Sequence, residues 1–91
     1  MSPEPQNESP LTFPCLFPIK VMGRREDGFA QTVVEIVRRH AADFHAETVE
    51  MRSSKNARYL SLTVTLNARS REQLDALYSE LSKHPMVIMV L

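Results

Sequence analysis

The 91-residue chain holds a single cysteine, Cys15, so an internal disulfide is excluded and stability has to come from packing. That usage suits a reducing cytosol, and a cytoplasmic location is expected. The chain also lacks a surplus of either charge, since eleven Lys and Arg balance eleven Asp and Glu. Without a basic footprint, no nucleic-acid partner is expected. Long apolar runs are missing as well: the longest, Met86 to Leu91, is far too short for a bilayer, and Met1 to Pro10 has neither a basic nor an apolar leader segment. No membrane partner is expected. Finally, there is no catalytic constellation. No base is spaced to activate Cys15, and His40, His45 and His84 are dispersed, with His40 and His45 at a separation that matches no common zinc spacing. A non-catalytic protein with no metal site and no cofactor is therefore expected.

What is present reads as one small domain. Apolar residues make up 43% of the chain and charged residues 24%, the profile of a soluble globule. A chain this short buries only about 60% of the surface its unfolded form exposes, which favours shallow clefts or sites at a subunit interface. Residues 1–12 combine Pro3, Pro5 and Pro10 with Ser, Glu, Asn and Gln, offer no apolar face, and are expected to form a disordered arm. The folded domain is expected over residues 13–91.

Within that span the periodicity changes in a regular order. Phe17, Ile19 and Val21 alternate with Pro18, Lys20 and Met22, giving a first strand whose regular pairing is expected only after Pro18. A polar turn from Gly23 to Gly28 follows, with Asp27 expected to cap a helix over about residues 28–41 that carries Phe29, Val33, Ile36, Val37 and Ala41 on one face. Arg38, Arg39 and His40 fall in its last turn, where positive charge complements the helix dipole. Residues 48–52 and 59–66 alternate as strands of a hairpin, the second with Leu60, Leu62, Val64 and Leu66 inward; Asn56 is the expected left-handed residue between them. Ser70 and Gln73 form a capping box for a helix over 71–83 with Leu74, Leu77 and Leu81 inward, and Met86 to Leu91 reads as a last strand.

Strand, helix, strand, strand, helix, strand predicts an α+β, ferredoxin-like βαββαβ two-layer sandwich. The antiparallel sheet should have the order 4-1-3-2, with both helices on one face. The other face then carries Lys20, Met22, Glu50, Tyr59, Ser61, Thr63 and Thr65, a flat surface rich in hydroxyls that is either solvated or a contact surface. Self-association through that face or an edge strand would make a homodimer.

Several of these segments carry a resemblance. Lys20-Val21-Met22-Gly23, Ser53-Ser54-Lys55 before Tyr59, and Leu77-Tyr78-Ser79-Glu80-Leu81 with the closing Met89-Val90-Leu91 resemble the YbeD-like family of small bacterial proteins. The resemblance covers residues 13–91 and implies a fold similar to the ACT regulatory domains that bind amino acids in metabolic enzymes. It supplies no catalytic residue.

Two segments are candidate sites. In the turn, Gly23, Arg24, Arg25, Asp27 and Gly28 could hold a small carboxylate or amino acid at the free amides of the helix N-terminus, although a strand-to-helix turn needs the same residues and Asp27 would repel an anion. In the hairpin, Lys55 and Arg58 beside Tyr59 could meet an anion or a partner, although a solvated loop has the same composition. An RNA-binding reading of this topology needs stacking aromatics on the central strands, and only Tyr59 points outward. The leading expectation is a regulatory or ligand-sensing domain. The alternative is an adaptor that docks on a metabolic enzyme without holding a metabolite.

Overall fold

In the computed structural model, which describes residues 12–91, the elements run β1 (Cys15–Arg24), α1 (Phe29–His40), a short 3-10 turn (Ala46–Thr48), β2 (Glu50–Ser53), β3 (Tyr59–Ala68), α2 (Arg71–Lys83) and β4 (Val87–Val90). The arm expected at residues 1–12 lies, apart from Thr12, outside the described residues. The sheet order is β2-β3-β1-β4 with every pairing antiparallel, which is the 4-1-3-2 arrangement. Both helices cover one face. Ile19 and Val21 of β1 and Leu62, Val64, Leu66 and Ala68 of β3 meet Phe29, Val33, Ile36 and Val37 of α1 and Leu74, Leu77 and Leu81 of α2 in one buried cluster.

The central pair, β1 and β3, is in register from Cys15 opposite Ala68 to Arg24 opposite Tyr59, so pairing begins well before Pro18. The reason is which side of the strand the missing donor faces. The Lys20 amide donates to the Leu91 carbonyl at 3.1 Å and the Leu91 amide to Lys20 at 2.8 Å, so even-numbered positions of β1 point their amides toward β4. Pro18 shares that side, beyond the point where pairing with β4 stops, and no β1–β3 hydrogen bond is lost.

Other expectations shift by a residue for local reasons. The cap of α1 is Gly28, at φ 85°, and not Asp27: the left-handed backbone there suits glycine, and the Gly28 carbonyl accepts from the Thr32 amide at 2.8 Å. In the hairpin the left-handed residue is Ala57, at φ 58°, and not Asn56. The Ser54 hydroxyl accepts from the amides of both Arg58 and Tyr59 at 3.2 Å and donates to Asn56 Oδ1 at 3.1 Å, which engages Asn56 through its side chain and moves the reversal one position on. Strand β2 starts at Glu50 because the Thr48 amide and hydroxyl both donate to the His45 carbonyl, closing the preceding 3-10 turn. Leu60, expected in the core, is half-buried, since it lies opposite Gly23 and Ser53 where the sheet ends. Ala41 and Phe44 complete the core from the segment after α1.

Gly23 is set by close packing. A β-bulge between Met22 and Gly23 shifts the register with β4, and a Cβ at Gly23 would lie under 3.0 Å from both the Met86 carbonyl oxygen and the Phe29 ring. Among the described residues no helix is long and apolar enough to cross a membrane.

Candidate functional site

The candidate segments meet at one end of the sheet. Strand β1 leaves it at Arg24, directly opposite Tyr59 where β3 enters, and one step beyond the strands the Arg25 amide donates to the Arg58 carbonyl at 2.9 Å. That bond fastens the strand-to-helix turn to the β2–β3 hairpin. Between them lies a shallow cleft of about 470 Å³ lined by Arg24, Arg25, Glu26, Ala57, Arg58 and Tyr59. A second hollow of about 470 Å³ shares Arg25 and Glu26 and continues along Asp27, Gly28 and Phe29 to the start of α1.

Of the residues singled out in the sequence, Arg24, Arg25, Arg58 and Tyr59 share the first hollow, and Asp27 and Gly28 line the second. Lys55 is exposed at the hairpin and lines neither. Gly23 is buried beneath the turn, with the direction of its missing side chain filled by Phe29 and Met86. Glu26, which the sequence presents only as a turn residue, adds the one carboxylate common to both hollows. No local signal marks it, because its place follows from the register of strands far apart in the chain.

Three arginines against one glutamate leave the cleft net basic. Among the described residues the ion pairs are Arg39–Glu80, His40–Glu80, His45–Glu47 and Arg69–Asp43, so none of Arg24, Arg25 and Arg58 has a carboxylate within 4 Å. An anion bound among them would be attracted most where water is partly excluded. Guanidinium groups also present planar forks that match carboxylate and phosphate oxygens.

The other charged cluster has a structural use. Glu80 of α2 accepts from Arg39 and, at 2.7 Å, from His40 Nε2, joining the end of α1 to α2. These bonds, His40's first, hold the Glu80 carboxyl below its usual range. Burial pushes the neighbouring Tyr78 phenol up. Among the described residues no group of three or more His, Cys, Asp or Glu stands close enough to hold a metal.

Comparison with known proteins agrees on the lineage. Residues 8–91 match the family model described as protein of unknown function (DUF493). A UPF0250 protein of Nitrosomonas europaea is 55% identical over 84 residues, which is 92% of this chain and 97% of the relative. A UPF0250 protein of Bordetella pertussis is 52% identical over 87 residues, 96% of each. The solution structure of protein HP0495 from Helicobacter pylori superposes with a TM-score of 0.73 at 20% identity, covering 100% of this chain and 98% of that one. The ACT domain of GTP pyrophosphokinase from Chlorobium tepidum superposes with a TM-score of 0.65 at 16% identity, covering 85% and 83%. At such identities the two structures speak to fold alone.

Proposed function

Since the chain belongs to the DUF493 family, the YbeD-like group that its sequence resembles, and has an ACT-like fold, we propose that it is a non-catalytic, cytoplasmic regulatory module that senses a small carboxylate, such as an amino acid, in the arginine-lined cleft. The observation that carries this reading is the Arg25–Arg58 backbone bond, which draws two basic segments distant in sequence into one hollow. The cleft's polar groups are guanidiniums, a phenol and a carboxylate. They suit recognition of an anion bearing an amine: the guanidiniums take the carboxylate and Glu26 takes the ammonium. None of them is a nucleophile paired with a base.

A thermal-shift screen against amino acids and small carboxylates tests it, because a ligand that binds only the native form raises the melting temperature. At about 100 times its dissociation constant a true ligand stabilises by about 2.7 kcal/mol, which for a domain of this size is a rise of roughly 10 °C or more. Arg25→Ala with Arg58→Ala should abolish the rise while the protein stays folded. If no such compound shifts the wild type, the sensing role fails.

A second reading, an adaptor on a metabolic enzyme, draws on the open sheet face. There Leu16 is 75% exposed, and Met89, opposite Met22, is 47% exposed, so that face is greasier toward β4 than hydroxyl-rich strands alone would make it. Retention of the full chain by an immobilised enzyme, lost in Leu16→Asp with Met89→Asp and kept in Arg25→Ala with Arg58→Ala, would favour it.

A further inference from the structure

Val21 of β1 and Leu62 and Val64 of β3 point into the core, so the residues that alternate with them, Lys20, Ser61 and Thr63, project from the open face of the sheet. The register lays these in rows. Lys20 of β1, Thr63 of β3 and Glu50 of β2 stand side by side, and Ser61 stands beside Arg52 in the next row. The middle strand is thus short in its side chains while both flanks are long. The result is a hollow of about 270 Å³, with the half-buried Ser61 and Thr63 as its floor and the exposed Lys20, Glu50 and Arg52 as its walls. It shares no lining residue with the arginine-lined cleft.

The polar groups around this hollow are not used by the fold. Among the described residues neither Lys20 nor Arg52 has a carboxylate within 4 Å. Among the same residues the hydroxyls of Ser61 and Thr63 enter no hydrogen bond. We propose that the hollow binds the phosphate group of a small phosphomonoester whose organic part carries a hydroxyl or an amine. Strands β1 and β2 lie about 10 Å apart, one spacing on either side of β3, a span that a lysine and an arginine close from opposite flanks onto one anion. The two hydroxyls meet the same anion from below.

The number and spread of the donors select phosphate over carboxylate. An ammonium, a guanidinium and two hydroxyls, contributed by three strands, surround one space, and a planar carboxylate has only two oxygens to offer them. A phosphomonoester offers three terminal oxygens and, near neutral pH, a charge of about −1.5 to −2, so it also draws most from the two cations. Glu50 selects within the phosphates. Ionised, it only accepts hydrogen bonds, so it repels a bare phosphate and rewards a ligand that turns a donor toward it. The row that joins Lys20, Thr63 and Glu50 therefore reads a ligand with an anionic end and a donor end. Because the hollow is separate from the cleft, it does not depend on a carboxylate ligand there.

Titration of the full chain, followed by amide NMR shifts at constant ionic strength, tests the proposal with glycerol phosphate, inorganic phosphate, acetate and glycerol as probes. Glycerol phosphate should give saturable shifts centred on Arg52, Ser61 and Thr63 with a Kd of about 0.1–1 mM, as expected of a shallow site. Inorganic phosphate should bind the same residues at least about threefold more weakly, and acetate at least about tenfold more weakly, while glycerol alone should leave them unmoved. Lys20→Ala and Arg52→Ala should each weaken glycerol phosphate at least about fivefold. Both side chains are exposed, so shifts elsewhere in the spectrum should stay as in wild type. Glu50→Gln should tighten inorganic phosphate about threefold and erase the advantage of the ester, because the repulsion and the acceptor leave together. Absence of saturable shifts on the open face, shifts centred instead on Arg25 and Arg58, acetate binding as well as the ester, or single variants that bind as wild type does would each overturn it.

Discussion

Gly23 and Gly28 bracket the same turn, yet they are glycines for different reasons, and substitution separates the two. At Gly28 the backbone is left-handed and the space where a Cβ would sit is open, so Gly28→Ala meets only the backbone penalty. That penalty is about 1 kcal/mol, equivalent to roughly 4–8 °C in a domain of this size. At Gly23 a methyl group would run into the Met86 carbonyl and the Phe29 ring, which are fixed by β4 and by the core. Backbone cannot swing aside as a side-chain tip can. Gly23→Ala should therefore cost about 3 kcal/mol or more, a large share of the total stability of a small domain. Thermal melts of the two variants should differ clearly in this order; equal losses would mean that the bulge beside Gly23 is softer than its packing implies.

At the scale of elements, helix α2 was legible almost residue for residue, because its signals are local. Ser70 accepts from the Gln73 amide at 3.1 Å, as the capping box requires. The return bond departs from the pattern: Gln73 Oε1 takes the Arg69 amide, and Gln73 Nε2 donates to the His40 carbonyl at 2.7 Å, so one side chain ties α2 to the end of α1. No sequence pattern encodes that partner, which is 33 residues away. The Arg39–His40–Glu80 cluster is the same kind of contact, and it makes the helix pair sensitive to pH. The folded carboxyl of Glu80 titrates below its ordinary value of 4.5, so its contribution is present in full above that value and fades as pH falls through the folded one. Glu80→Gln should destabilise the protein near neutral pH, and the gap from wild type should close as pH drops below about 4.5. High salt should narrow it too, since the cluster is partly exposed. A gap that stays constant across this range in urea melts would assign Glu80 no electrostatic role.

For the whole molecule, topology was readable because each strand and helix declares its inward face through its own periodicity, and right-handed crossovers leave few ways to assemble them. The cleft was readable only in halves. Arg24 and Arg25 belong to one basic segment and Arg58 to another, and their meeting depends on the β1–β3 register, a long-range pairing that no window of sequence contains. The same register sets how stability is distributed. Odd positions of β1 direct their amides at β3, so Ile19 faces Val64 and Val21 faces Leu62 across hydrogen bonds in the buried centre of the sheet. Ser61 and Thr63, which alternate with Leu62 and Val64 along β3, instead direct their amides at Arg52 and Glu50 of the exposed edge. Amides that depend on an edge strand exchange when that strand frays, whereas central ones wait for global unfolding. Exchange along β3 should therefore alternate, slow at Leu62 and Val64 and faster at Ser61 and Thr63. Uniform protection along β3 would mean that β2 is held by something other than its single neighbour, and the account of it as the loose edge of the sheet would fall.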